Sequence, residues 1–247
     1  MNAPDPSLSI PDPAVRRLWA SLLERLAAIS ARHPDAAFAS SLGVEDMLLS
    51  HAIFQLGLPV RVFTLDTGRL HPETLAMIET VRERYGVALD VLRPDPAEVT
   101  DHVSRHGAFA FYESLALRKA CCHIRKVEPL RRALQGRSAW LTGQRRGQSA
   151  TRTHLAESEF DEVFGLIKYN PLSDWTGDQV WAAVRALDIP YNPLHDQGYP
   201  SIGCEPCTRA VRAGEDERAG RWWWEQSSSR ECGLHAGNLR APAGASS

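Results

Sequence analysis

Between residues 13 and 142 short apolar runs alternate with helical patterns, and this alternation limits the chain to very few folds. Asp12-Pro13 reads as an N-cap with a first-turn proline. Val15, Leu18, Trp19, Leu22, Leu23, Leu26 and Ile29 follow at helical spacing. The runs Ala36–Ser40, Val60–Leu65, Leu89–Leu92 and Ala139–Thr142 are predicted strands. Between them fall predicted helices over Val44–Leu56, Pro72–Tyr85, Glu98–His106 and Tyr112–Leu134; Gly86 stops the second, and Pro129 breaks or kinks the last. Thr176 opens another helix, with Gln179 at the capping-box position. Strand–helix alternation at this density predicts an α/β fold with a doubly wound, mostly parallel sheet. Such sheets bind ligands beyond their C-terminal strand ends. The segments Ser40–Asp46, Leu65–Leu70, Gly143–Arg152 and the surroundings of Cys204 are therefore the candidate site.

A chain of 247 residues with 43% apolar and 23% charged residues has enough material for one such core. A net charge of −2 gives no general attraction to nucleic acid or anionic membrane, so any anion site must rest on local arginine and lysine. No apolar run approaches the roughly eighteen residues that span a bilayer, and the Pro-rich start lacks the pattern of a secretory signal. The expectation is a cytoplasmic protein without nucleic-acid or membrane partners; a homo-oligomer is compatible with the sequence. Residues 1–13 are expected to be disordered, 14–225 to form the domain, and the Ser-, Gly- and Ala-rich residues 226–247 to be a flexible tail.

The five cysteines are Cys121, Cys122, Cys204, Cys207 and Cys232. An odd number in a cytosolic chain argues against a disulfide framework. Four fall in two close pairs and one stands apart, a pattern that suggests a four-thiolate centre plus one working thiol. Cys204-Glu205-Pro206-Cys207 alone fits a redox dithiol, half a zinc site or half an iron–sulfur site. The tandem pair narrows the choice. Neighbouring helical positions point about 100° apart, so both thiolates reach a wide [4Fe–4S] cubane more easily than one tetrahedral zinc. A lone tail cysteine is often inert; Cys232, in polar Arg230–His235, is instead placed to be an exposed nucleophile. His235 is placed to tune it, or merely to be solvated.

The loop Gly143-Gln144-Arg145-Arg146-Gly147-Gln148-Ser149-Ala150-Thr151-Arg152 is rich in bidentate donors for phosphate or sulfate, although a solvated turn is the plainer reading. Arg218 and Arg221 are expected on one helix at i, i+3, where they reach the same anion. Ser40, Ser41 and Gly43 precede a helix N-terminus, which favours phosphate, but no P-loop pattern is present. Asp66, Thr67 and Gly68 close the next strand end, where a nucleoside would lie.

Together these segments, from Phe38 to His235, resemble the assimilatory adenylyl-sulfate reductases within the wider phosphoadenylyl-sulfate reductase family. The resemblance is carried by Lys119-Ala120-Cys121-Cys122, Arg125-Lys126-Val127-Glu128-Pro129-Leu130, Cys204-Glu205-Pro206-Cys207 and Glu231-Cys232-Gly233-Leu234-His235, in that order. Leu65-Asp66-Thr67-Gly68 and Gly143-Gln144-Arg145-Arg146 also look like family motifs; Gly147 departs from them. Ser41-Leu42-Gly43-Val44-Glu45-Asp46 replaces the phosphate loop of ATP pyrophosphatases. The resemblance implies an adenine-nucleotide alpha-hydrolase-like (PP-loop related) sheet. It implies one [4Fe–4S] cluster on Cys121, Cys122, Cys204 and Cys207. It further implies attack by Cys232 on adenosine 5′-phosphosulfate, giving sulfite and AMP, with thioredoxin as reductant through a transient mixed disulfide. Lys126, Arg145, Arg152, Arg218 and Arg221 are the expected anion contacts; Lys126 lies one turn after Cys122, within reach of both centres. A 3′-phosphorylated substrate is the nearest alternative. ATP-using relatives (sulfurylases, tRNA thiolation enzymes) and a non-enzymatic zinc or nucleotide-binding module are more distant ones.

Overall fold

The computed structural model describes residues 9–148 and 155–225. Its centre is one six-stranded sheet in the order β3-β2-β1-β4-β6-β5. The strands are β1 (Ala37–Ala39), β2 (Arg61–Leu65), β3 (Asp90–Leu92), β4 (Ala139–Leu141), β5 (Ser158–Asp161) and β6 (Leu166–Tyr169). All neighbours pair parallel except the β5–β6 hairpin at one edge. Successive strand residues point to opposite faces, and the buried residues divide accordingly. Phe38, Val62, Ala139 and Leu141 enter one core; Ala37, Phe63 and Trp140 enter the other.

The first core is closed by α1 (Pro13–Arg32), α2 (Val44–Gln55), α3 (Pro72–Tyr85) and α7 (Gly177–Ala186). On the other face α6 (Glu128–Leu134) supplies Leu130, Ala133 and Leu134. Helix starts follow the expected chemistry. The Asp12 side chain caps α1 at the Ala14 N–H, and Thr176 and Gln179 form the reciprocal capping box of α7. Ile10, just ahead of α1, is buried in the first core.

The long helix expected from Tyr112 to Leu134 is divided. After α4 (Pro96–His106) comes a 3₁₀ turn at Ala110–Tyr112, then α5 (Leu115–Cys122), a π turn over His123–Val127, and α6. Pro129 has no N–H to return to the preceding turn. The π turn absorbs the defect upstream, with the Glu128 N–H reaching back to the His123 carbonyl. Strands β5 and β6 were not expected. Ser158-Glu159-Phe160-Asp161 is too polar to read as a strand, and only pairing with β6 makes it one. A second correction concerns Arg218 and Arg221, which are not on a helix: Arg218 lies in a turn and Arg221 forms an antiparallel bridge with Thr208.

Candidate active site at the sheet's switch point

Strand β1 lies between β2 and β4, so the chain winds in opposite directions from it. The C-terminal ends of β1 and β4 therefore open a crevice where ligands settle in such sheets. A cavity of about 210 Å³ lies there. Ser40, Ser41 and Gly43 after β1, Thr67 after β2, and Thr142, Gly143 and Gln144 after β4 line it. Lys126, Arg218 and Arg221 add positive charge to its wall. Among the sequence-predicted contacts, Asp66 and Gly68 do not line it. Asp66 accepts from the Gly68 N–H at 2.9 Å and pairs with Arg93 at 2.9 Å, which shapes the turn.

The loop after β1 is built around Leu42. Its side chain is buried in the core and its backbone is left-handed, at φ 61°, a conformation that costs a non-glycine residue free energy. That bend leaves Gly43 as N-cap of α2 with no side chain capping the first N–H groups, which suits an anion. Asp46, one turn in, accepts from the Ser41 N–H and hydroxyl, both at 2.6 Å. Gly143 packs against this carboxylate so closely that a Cβ there would clash with it.

Burial raises the Asp46 carboxyl from 3.8 to about 6, outweighing the two bonds from Ser41. The folded state therefore holds this proton over a pH range in which the unfolded chain has lost it. Its ionisation opposes folding by a term of roughly 3 kcal/mol, absent below pH 3.8 and complete above pH 6. The D46N variant lacks this term. In urea titrations its stability relative to the parent should improve as pH rises from 4 to 7, and a pH-independent difference would show that Asp46 titrates normally.

Arg145 does not itself line the cavity. It is buried behind the cavity wall, donating to Glu45 at 2.8 Å and to Glu217 at 3.1 Å. Gln148 also donates to Glu45, at 2.8 Å. Glu45 and Glu217 themselves line the cavity. Arg145 thus neutralises two wall carboxylates and ties the start of α2 to the segment carrying Arg218. Near them, Gln144 is only 3% exposed, yet among the described residues neither end of its amide has a hydrogen-bond partner, and both ring nitrogens of His195 are likewise unanswered there. An unsatisfied buried amide is costly, so these cavity-lining groups are suited to a polar ligand.

Beyond Lys126 lies a second, smaller cavity of about 20 Å³. Cys121, Cys122, Cys204 and Cys207 all line it, with Arg69, Arg118, Arg125 and Lys126 around them. Lys126 is common to both cavities. The pairs meet because Cys204 bridges to Leu70 while the Trp222 N–H donates to the Cys207 carbonyl at 3.1 Å. Thr67 and Cys204 share a hydrogen bond of 3.2 Å. All four are free cysteines. Burial pushes the Cys207 thiol up to about 12 and raises Cys121 as well. Among the described residues no group of three or more His, Cys, Asp or Glu side chains is arranged to hold a single metal ion. The four cysteines line one pocket.

Residues 35–210 match the family described as "Phosphoadenosine phosphosulfate reductase domain". The chain belongs to this family. A relative from Burkholderia cepacia, named adenosine 5′-phosphosulfate reductase, is 61% identical over 85% of this chain and 84% of its own length. One of the same name from Allochromatium vinosum is 52% identical over 93% of this chain and 89% of its own. Among solved structures, the Candida auris phosphoadenylyl-sulfate reductase, a phosphate complex, has a TM-score of 0.64 at 29% identity. It covers 77% of this chain and 89% of that one. Yeast FAD synthetase, at 13% identity and a TM-score of 0.55 over 85% of this chain and 70% of that one, shares the fold alone.

Within this reductase family fold, the predicted residues Ser40, Ser41, Gly43, Thr67, Lys126, Arg218 and Arg221 meet at one cavity and the four paired cysteines at the other. Arg152, Cys232 and His235 lie outside the described residues. Sequence reasoning missed Gln144, His195 and Glu217 as cavity residues, and Arg69 and Arg118 beside the cysteines. Gln144 lies within Gly143-Gln144-Arg145-Arg146, which signals it; His195 and Glu217 carry no local signal. No helix among the described residues is long and apolar enough to cross a membrane.

Proposed function

We propose that this protein reduces adenosine 5′-phosphosulfate to sulfite and AMP, with Cys232 as nucleophile and a thioredoxin-type dithiol as electron donor. One observation carries the reading: a cation-walled cavity at the switch point shares Lys126 with a pocket lined by four cysteines. The name of the relatives at 61% and 52% identity supports the unphosphorylated nucleotide over its 3′-phosphate.

In this reading the first-turn N–H groups of α2, Lys126, Arg218 and Arg221 hold the phosphosulfate. Gln144 and His195 offer hydrogen bonds to the rest of the nucleotide. The Cys232 thiolate attacks the sulfur; its S–S bond forms as the bond from sulfur to the phosphate oxygen breaks, and AMP leaves with that electron pair. Charge accumulates on the leaving phosphate, so preorganised cations contribute directly to the rate. A thiolate of the dithiol next attacks the Cys232 sulfur and expels sulfite. The second thiol resolves the mixed disulfide, leaving the donor oxidised by two electrons and Cys232 restored.

Cys121, Cys122, Cys204 and Cys207 fit a [4Fe–4S] cluster: the donor set is all thiol, lines one pocket, and shares it with four cationic side chains. Such a cluster would supply negative charge and rigidity beside Lys126. Coordination takes the ligands as thiolates, so binding releases the protons that burial favours.

The test is sulfite release from each nucleotide with thioredoxin supplied. The 5′-phosphosulfate should give the higher kcat/KM. A higher value for the 3′-phosphorylated nucleotide reverses the substrate choice, and no sulfite from either rejects the reading.

A further inference from the structure

A buried ion pair joins α5 to Glu225. Arg118, on α5 one turn before Cys122, is fully buried and donates to both oxygens of Glu225, each bond 2.8 Å. The guanidinium also stands 4.6 Å from the ring centroid of Trp222, and that of Arg221 stands 4.7 Å from the same centroid. Trp222 itself is 1% exposed with a left-handed backbone at φ 43°. Such a conformation persists in a bulky residue only where its surroundings fix it. Here the fixing groups are the Trp222 N–H on the Cys207 carbonyl, at 3.1 Å, and the Glu225 N–H on the Trp222 carbonyl, at 2.9 Å. One cluster of contacts therefore joins the cysteine-bearing helix, the CxxC turn, cavity-lining Arg221 and the start of the C-terminal segment.

A buried ion pair is a poor means of gaining stability, since desolvation offsets most of the attraction. It is a good means of fixing position, because a bidentate guanidinium–carboxylate pair tolerates little change of angle. Cys232 follows Glu225 by seven residues in the sequence. A span of that length reaches at most about 25 Å, so where the chain leaves Glu225 sets which points the thiol can visit.

We propose that Arg118 and Glu225 are positioning residues: their ion pair fixes the exit of the C-terminal segment beside the four-cysteine pocket and so directs Cys232 to the bound phosphosulfate. The proposal rests on the reductase reading above. It adds a role for two residues that touch neither substrate nor the reacting atoms.

The experiment uses E225Q, which keeps the side chain's size and removes its charge, in the full-length, metal-loaded chain. Three controls should stay near the parent: iron and sulfide content, the visible spectrum, and AMP affinity by calorimetry. Two measurements should move. Single-turnover sulfonation of Cys232 without thioredoxin, followed by mass, should slow on the order of 10- to 100-fold, the usual effect of misplacing a reacting group. Limited proteolysis beyond residue 225 should quicken. E225D, which retains the charge, should recover part of both effects, and it replaces E225Q as the principal variant if E225Q yields no folded protein. The proposal stands only if both measurements move while the controls hold. Unchanged sulfonation, unchanged proteolysis, or parallel loss of iron and AMP affinity each overturns it. A parent protein that gains no adduct refutes the reductase reading instead, and the proteolysis result then stands apart.

Discussion

The C232S variant should keep its full iron content and its affinity for AMP and yet release no sulfite from adenosine 5′-phosphosulfate. The four other cysteines share one pocket and are enclosed there by Arg69, Arg118, Phe111 and Trp222. Their enclosure suits ligands, and the raised thiols of Cys121 and Cys207 are poor nucleophiles near neutral pH. Cys232 belongs to neither pair and follows in a polar segment next to Gly233. A residue that must meet first a bound sulfate and then a protein dithiol has to serve two partners in turn. Parent protein given substrate without thioredoxin should gain about 80 daltons, one SO₃ group, and lose it on addition of thiol. Peptide mapping should place that mass on the peptide containing Cys232. A stable adduct on another cysteine, or turnover in C232S, would falsify the assignment of the nucleophile.

Serine at any one of Cys121, Cys122, Cys204 or Cys207 should remove the metal centre and most of the activity. Anaerobically purified parent protein should be brown, with about four iron and four sulfide per chain. The variants should be colourless, with iron falling well below one per chain. The expected loss is large because these residues are also where separate segments meet. Cys204 bridges to Leu70 behind β2, and the Cys207 carbonyl accepts from Trp222. Without a metal, Arg69, Arg125 and Lys126 would lose a negatively charged neighbour in this pocket, whereas Arg118 keeps its ion pair with Glu225. Stoichiometric zinc in fully active parent protein would remove the cluster from the account while leaving the ligands in place.

Much of this architecture is local chemistry, and local chemistry is written in order along the chain. The caps of α1 and α7 rest on residues two or three positions apart, Asp12 with Ala14 and Thr176 with Gln179. Strands β1, β2 and β4 are apolar on both faces because helices cover both, so they appear as short apolar runs. The division of cysteines into two pairs and one remaining residue needs no coordinates, and neither does the order of the family's motifs.

What the sequence left open depends on partners far away in the chain. Strand β5 is a strand only because β6 returns beside it. The π turn before Pro129 is one of several ways to absorb a missing N–H, and packing selects among them. Arg145 looks like an anion contact in a basic loop; the fold also pairs it with Glu45 and Glu217, one hundred residues before it and seventy-two after it. Arg118 finds Glu225 at a separation of 107 residues. A charged side chain states what it is able to bind, but its partner is whichever opposite charge the fold buries beside it. In a low-dielectric interior that choice is decided by proximity, and proximity across a hundred residues is a property of the tertiary structure alone.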